Sequence, residues 1–289
     1  MKIELLDTTG NIRCAAEGES EVLLNIASYN DGDRLVFKSN DSKYVWVSIH
    51  KDIAECLIYL TNSEFHFDIP TGQAKAGFAP NTFSGNQTVR MRAASDNDIH
   101  SYRNLYLNPL DYRRPSEVVN PDAPEWSNPK DSEAFLNGEI TEFPHAYANR
   151  VTRNEGCFYA RNAIDGYSDP NGHGNYPYHS WGGAVHKDLV FSVYFGRPVK
   201  VDKLALCLRS DFSLDDKGRE HDTYWHTARI ELSDGFGTEI HPIKTPNNQE
   251  FELGEHTTEW LKLSRLDPLQ HDMSQNFAAL TQIELWGKD

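Results

Sequence analysis

Two stretches of this chain concentrate side chains that could do chemistry. Residues 159–183 read YARNAIDGYSDPNGHGNYPYHSWGG, and residues 210–228 read SDFSLDDKGREHDTYWHTA, directly after Arg209. Both mix aromatics with His, Asp and Gly. A hydroxylated ligand such as a sugar offers an apolar C–H face flanked by donors and acceptors, so its binder needs an aromatic platform and fixed polar groups. Arg209, Asp211, His221, Asp222 and Trp225 supply such a set from the second stretch, and His173, Tyr178 and His179 are expected to form the opposite wall. Arginine brings a rigid fork of donors, whereas Asp only accepts. Tyr176 and Trp181 could also stack on a ligand. Trp181 flanks a strand and is expected to pack inside, Trp225 is balanced between core and platform, and Trp260 and Trp286 read as core. The Gly and Asn residues of 166–175 serve turns whatever else they do. Long stretches without regular structure tend nonetheless to be functional.

The second stretch also permits a catalytic alternative. His221, Asp222 and His226 place two imidazoles and a carboxylate within six residues, enough for a metal-dependent hydrolase. The chain has no H-E-x-x-H, no G-x-S-x-G, no P-loop and no G-x-G-x-x-G, so this alternative has no recognised motif behind it. The first expectation is therefore binding without catalysis. A protein-interaction surface built from the same loops is a third reading.

These loops need a scaffold, and the patterning makes it β throughout. VLLNIA, RLVF, YVWVSI, CLIYL, EFHF and TVRMRA follow one another between Val22 and Ala93, separated by turn formers. Five of the fourteen prolines (109, 115, 121, 124 and 129) then fall together, which stops helices and sheet ladders alike. The β rhythm resumes at 189–195, 201–208, 227–232, 260–263 and 281–286. The expectation is two β-sandwich (jelly-roll) domains, residues 1–108 and 140–289, joined by a proline-rich strap over 109–139 in which Trp126 packs on a domain. Short helices are expected near 129–136 or 158–164. Leu204, Leu206 and Leu208 share one parity of their strand, which sends Arg209 and Asp211 to the opposite face or rim at its end.

Composition narrows the partners. With 28 Lys+Arg against 43 Asp+Glu the formal net charge is -15, and no basic cluster breaks that field, so nucleic acid is excluded as a partner. No apolar run approaches the roughly 20 residues that cross a bilayer. The loops carry His, Asp and Gly rather than apolar spikes with basic neighbours, which argues against a membrane surface. MKIELLDTTG lacks the apolar core of a signal peptide, so the expected location is cytoplasmic, or extracellular for a mature fragment. Cys14, Cys56, Cys157 and Cys207 lack metal or redox spacing and read as free thiols.

Four features in order carry a resemblance. They are Asn162-Ala163-Ile164-Asp165-Gly166, then Ser180-Trp181-Gly182, then LVFSVYFGRPVKVDKLALCL, and finally Ile283-Glu284-Leu285-Trp286-Gly287. Over residues 144–289 this pattern resembles the galactose-binding-like β-sandwich family, which includes discoidin, coagulation-factor C-type domains and many carbohydrate-binding modules. The resemblance implies a non-catalytic module that recognises a carbohydrate through loops at one end of the sandwich. It also implies a structural Ca2+ ion under the Asp-Gly turn, with Asp165, Ser180 and Glu284 at the matching positions and backbone carbonyls completing the shell.

Overall fold

The computed structural model describes residues 1–112, 140–183, 188–210, 224–267 and 277–289. Most of the expected strap, with Trp126 and the helix near 129–136, lies outside these residues, as do Asp211, His221 and Asp222.

The protein is all-β. Among the described residues, helix is limited to α1 (Asp96–His100) and short 3-10 turns. The first half forms two antiparallel sheets. One has the order β2 (Ile12–Glu17), β1 (Lys2–Leu6), β4 (Arg34–Lys38), β7 (Glu64–Asp68). The other runs β10 (Glu142–Phe143), β6 (Cys56–Leu60), β5 (Tyr44–Ser48), β8 (Gln87–Ala93), β3 (Glu21–Ile26). Period-two patterning decides which side chains go inward. In β3, Val22, Leu24 and Ile26 are buried while Glu21, Leu23 and Asn25 face solvent. Cross-strand partners Phe37 and Phe65 stack at 4.7 Å in the core between the sheets.

The second half is one larger sheet around a separate core. Its path is β12 (Trp181–Gly182), β17 (Ala279–Lys288), β13 (Phe191–Leu208), β16 (Gln249–Asp267), β14 (Thr227–Leu232), β15 (Gly237–Ile240). β11 (His145–Ala148) lies on β13, and β9 (Arg103–Asn104) lies on β17. The two runs expected at 189–195 and 201–208 are one bent strand, β13. Its register against β16 slips between Tyr194 and Val199, where Gly196 has φ +67° and Pro198 has no N–H to give the ladder. The bend lets β13 change neighbour, from β11 over its first residues to β17 over its last.

The halves exchange strands. β9, from the expected domain 1–108, pairs Asn104 with Trp286 of β17, and β10, from the expected domain 140–289, pairs Phe143 with Tyr59 of β6. A sequence cut between the halves is therefore not a cut between the sheets. Around this crossing, the Asp289 carboxylate takes hydrogen bonds from Arg197, from Arg103 at 2.5 Å and from the Tyr44 hydroxyl at 3.2 Å. Arg197 lies over the rings of Tyr44 and Tyr59 at 5.0 and 4.6 Å.

The expected burial of Trp181 is met: it has no exposed surface and packs on Phe191. Trp260 and Trp286 depart from expectation, being half-buried on outward strand positions. Trp286 stacks with exposed Tyr102 rather than entering the core. No disulfide joins the four cysteines, three of which are buried. Among the described residues no helix is long and apolar enough to cross a membrane.

Candidate functional site

The segment 149–182 is tied down over one end of the larger sheet by β12 and a set of side-chain hydrogen bonds. Two short 3-10 turns, Gly156–Phe158 and Ala160–Ala163, replace the helix expected near 158–164. Asn162 is fully buried and gives its two N–H groups to the carbonyls of Gly156 (3.0 Å) and Ser180 (3.2 Å), which ties both ends of the loop together. Thr152 Oγ1 donates to the Gly182 carbonyl, and Trp181 Nε1 donates to the Arg150 carbonyl, both at 2.9 Å. Pro170 accepts the backbone N–H of Ser210 at 2.9 Å, which draws the 166–178 excursion over the end of β13.

That closure creates a cavity of about 120 Å³, lined among others by Phe158, His173, Gly182, Arg209 and Phe277, with Thr152 and Arg153 at its side. The lining comes from the first 3-10 turn, the excursion, β12, the end of β13 and the approach to β17. Arg209 is 2% exposed, although it ends a strand; its Nη1 donates to the Phe277 carbonyl at 3.4 Å. The rim position expected for it is thus a cavity wall, because the next strand and the excursion close over the strand end. Phe277 is 40% exposed, a large apolar ring left in water beside the cavity. Arg153 grips Glu155 through two bonds, at 2.6 and 2.8 Å, and sits 5.6 Å over the Phe158 ring. Glu155 is held below its ordinary pKa by the Arg153 hydrogen bonds, and burial pushes the neighbouring Cys157 thiol up to about 11. Burial thus disfavours the thiolate form of Cys157, the form that reacts.

The sequence-predicted residues separate into four groups. His173 and Arg209 meet at this cavity. Asp211, His221 and Asp222 lie outside the described residues, and so does the core of the hydrolase alternative; His226 itself packs its ring 4.4 Å from that of Tyr224. Trp225 is 4% exposed, in the core, with its ring 5.6 Å from Trp181. That corrects the platform reading, since a ring buried to this extent presents no face to a ligand. Tyr178 and His179 do not line the cavity either. Tyr178 is an exposed ring laid against Gly172, and His179 is buried beneath Tyr167 and Tyr176.

His179 belongs to a second cluster. Asp165 Oδ2 accepts from His179 Nε2 at 2.7 Å and from Arg161 Nη2 at 2.9 Å, while its Oδ1 accepts the Tyr167 backbone N–H at 3.0 Å. These bonds bear on the calcium ligands. Ser180 Oγ is buried without a hydrogen-bond partner, as a ligand position would be, but Asp165 is committed to N–H donors and a guanidinium. Glu284 turns away to accept the Trp286 indole N–H at 2.9 Å. Among the described residues no group of three or more His, Cys, Asp or Glu could hold a metal. Asp165, Ser180 and Glu284 as arranged do not fit calcium, which takes six to eight oxygen ligands, because Asp165 and Glu284 already spend their oxygens on N–H donors.

Phe158, Phe277 and Arg161 escaped the sequence reading. Phe158 looked like part of a short helix. Phe277 stands isolated before a strand, with nothing in its neighbours to mark it. Arg161 did have a signal: it lies four residues before Asp165 in a loop too poor in cations to leave that carboxylate unpaired.

No family model matches the sequence, and no curated protein does. Among solved structures the chain is similar to the family 32 CBM of C. perfringens NanJ in complex with galactose, with 17% identity over 49% of this chain and 91% of that one and a TM-score of 0.35. It is similar also to a Streptococcus pneumoniae fucose binding module, with 14% identity over 50% of this chain and 95% of that one and a TM-score of 0.35. A third is chitosan-binding module 1 from the chitosanase/glucanase of Paenibacillus sp. IK-5, with 14% identity, 50% and 95% coverage, and again a TM-score of 0.35.

Proposed function

We propose that this protein binds a carbohydrate, without transforming it, in the cavity between Phe158, His173, Arg209 and Phe277. The observation that carries this reading is the convergence of an arginine fork, an imidazole and two aromatic rings from four separate segments on one concave site. Each group has a part in recognising a sugar. The Phe277 ring offers an apolar face for C–H groups, and its exposure costs free energy that a stacked ligand would recover. Arg209 directs donors at ring oxygens or hydroxyls from a position already desolvated, so little side-chain entropy is lost on binding. His173 can donate or accept across the site. The resemblance in sequence supports the same reading.

Calorimetric titration of the whole protein with galactose, fucose and chitosan oligosaccharides, repeated with Arg209→Ala, tests it. Saturable binding of any of the three that the variant loses is expected. Binding that the variant retains would move the site elsewhere, and a well-folded protein that binds none of a broad glycan array would overturn the carbohydrate assignment.

A further inference from the structure

Two of the segments that wall the cavity, those of Phe158 and His173, are fastened to one short piece of the first half, the 3-10 turn Gly72–Gly77. On one side, that turn meets the Gly156–Phe158 turn backbone to backbone. A Cβ at Gly156 would run into the Gln73 carbonyl and come within 2.7 Å of Ala74 Cα. A Cβ at Gly77 would stand 2.7 Å from Asn162 Oδ1 and 3.0 Å from the Gly156 carbonyl oxygen. Such approaches tolerate glycine alone without movement. On the other side, Tyr176 donates its backbone N–H to the Ala76 carbonyl at 2.7 Å, three residues beyond His173. Between the two, Arg161 Nη1 reaches the Gly77 carbonyl at 3.3 Å and its guanidinium covers the Phe78 ring at 4.0 Å.

We infer that the first half of the chain is a brace for the ligand cavity, and that Gly77 is a positioning residue for it. The inference rests on the carbohydrate reading of that cavity. The mechanical path is short. Phe158 follows Gly156 by two residues, and a Cβ at Gly182 would stand 3.1 Å from the Phe158 ring, so a displacement of the Gly156 backbone moves one wall against another. The His173 segment has its own bond to the same turn. Shifting residues 76 and 77 therefore disturbs both walls, and sites of this kind lose affinity steeply when their supporting shell moves by fractions of an ångström. The strand exchange explains why the brace can bear this: β9 and β10 lock the halves in one arrangement, so the turn presses on the loop as a fixed stop.

The test uses the full-length protein with galactose as the probe, and three variants. Gly77→Ala drives a methyl into Asn162. Phe78→Leu removes the ring under Arg161 but keeps apolar volume, and serves if Gly77→Ala fails to fold. Val89→Ala lowers stability from strand β8 of the first core and controls for simple destabilisation. Galactose affinity is read by calorimetry. The His173 ring and the Gly182 and Phe158 amide signals are read by NMR without ligand. Gly77→Ala, or Phe78→Leu in its place, is expected to weaken galactose binding at least tenfold and to displace those signals, while Val89→Ala does neither. Unmoved signals in the junction variant, or equal displacement in Val89→Ala, would overturn the brace. If the parent protein binds neither galactose nor any member of a broad glycan array, yet the junction variant alone moves the signals, the brace stands and the carbohydrate reading is what fails.

Discussion

The Arg161 guanidinium and the Asp165 carboxylate meet at 2.9 Å, four residues apart in sequence and both buried. Burial lowers the Arg161 pKa, and the facing Asp165 charge opposes that shift. Removing one charge from such a pair leaves the other desolvated and uncompensated, at a cost of about 3–5 kcal/mol. Asp165→Asn is expected to lose stability of that order in urea unfolding. A loss below about 1 kcal/mol would mean the pair is hydrated and plays no part in holding the loop.

The same bonds govern the response to calcium. An ion bound at 100 times its dissociation constant would add about 2.7 kcal/mol to stability. Because Asp165 already serves Arg161, His179 and Tyr167, millimolar calcium is expected to leave the melting temperature unchanged. A rise of several degrees that disappears in Asp165→Asn would restore the metal site.

Trp225 and Phe277 should behave oppositely on truncation. Trp225→Ala empties a core position against Trp181 and is expected to cost about 3–5 kcal/mol. Phe277→Ala, at a half-exposed ring, is expected to cost about 1 kcal/mol or less while weakening sugar binding at least about tenfold. Paired melting and binding measurements separate the two, and a stable Trp225→Ala protein without affinity would return that indole to the site.

Arg209→Lys keeps the charge but loses the planar fork. Its expected effect is a drop in sugar affinity of about tenfold or more with little change in melting temperature, read by calorimetry. Retained affinity would mean that charge rather than directed donors is what the ligand uses.

Acid should loosen the crossing between the halves. Burial alone would raise the Asp289 pKa, but the hydrogen bonds and charges of Arg197 and Arg103 outweigh it and the net shift is downward from 3.8. A depressed folded pKa contributes stability that is complete above the unfolded value and is lost as pH falls through the folded value. Asp289→Asn is therefore expected to melt below the parent at pH 7, with the gap closing below about pH 4. A gap that is constant with pH would assign the effect to something other than this carboxylate's charge.

How much of this was legible beforehand follows residue by residue. Period-two patterning exposed β3 to β8, β13, β14, β17 and the middle of β16, because burial of alternate side chains is a local property of a pleated chain, whereas β1, β2, β15 and the short strands β9 to β12 went unread. The gap left between the runs at 189–195 and 201–208 is the bend in β13 at Gly196 and Pro198, since patterning alone cannot say whether a ladder resumes with the same neighbour. Arg209 and His173 were chosen for their chemistry and do share a cavity. Trp225 was no less suitable in type and lies in the core.

What the sequence by itself determined is the all-β class, the turns, and a polar, aromatic loop after an Asn-Ala-Ile-Asp-Gly motif. These rest on short-range rules of propensity and alternation. Only the tertiary structure decided that Asp165 would spend its charge on Arg161 and His179, that β9 and β10 would cross between the halves, and that Gly77 would press on Gly156 from nearly eighty residues away. Those contacts depend on which distant backbones approach closely enough to exclude a side chain, and no local pattern in the chain records that distance.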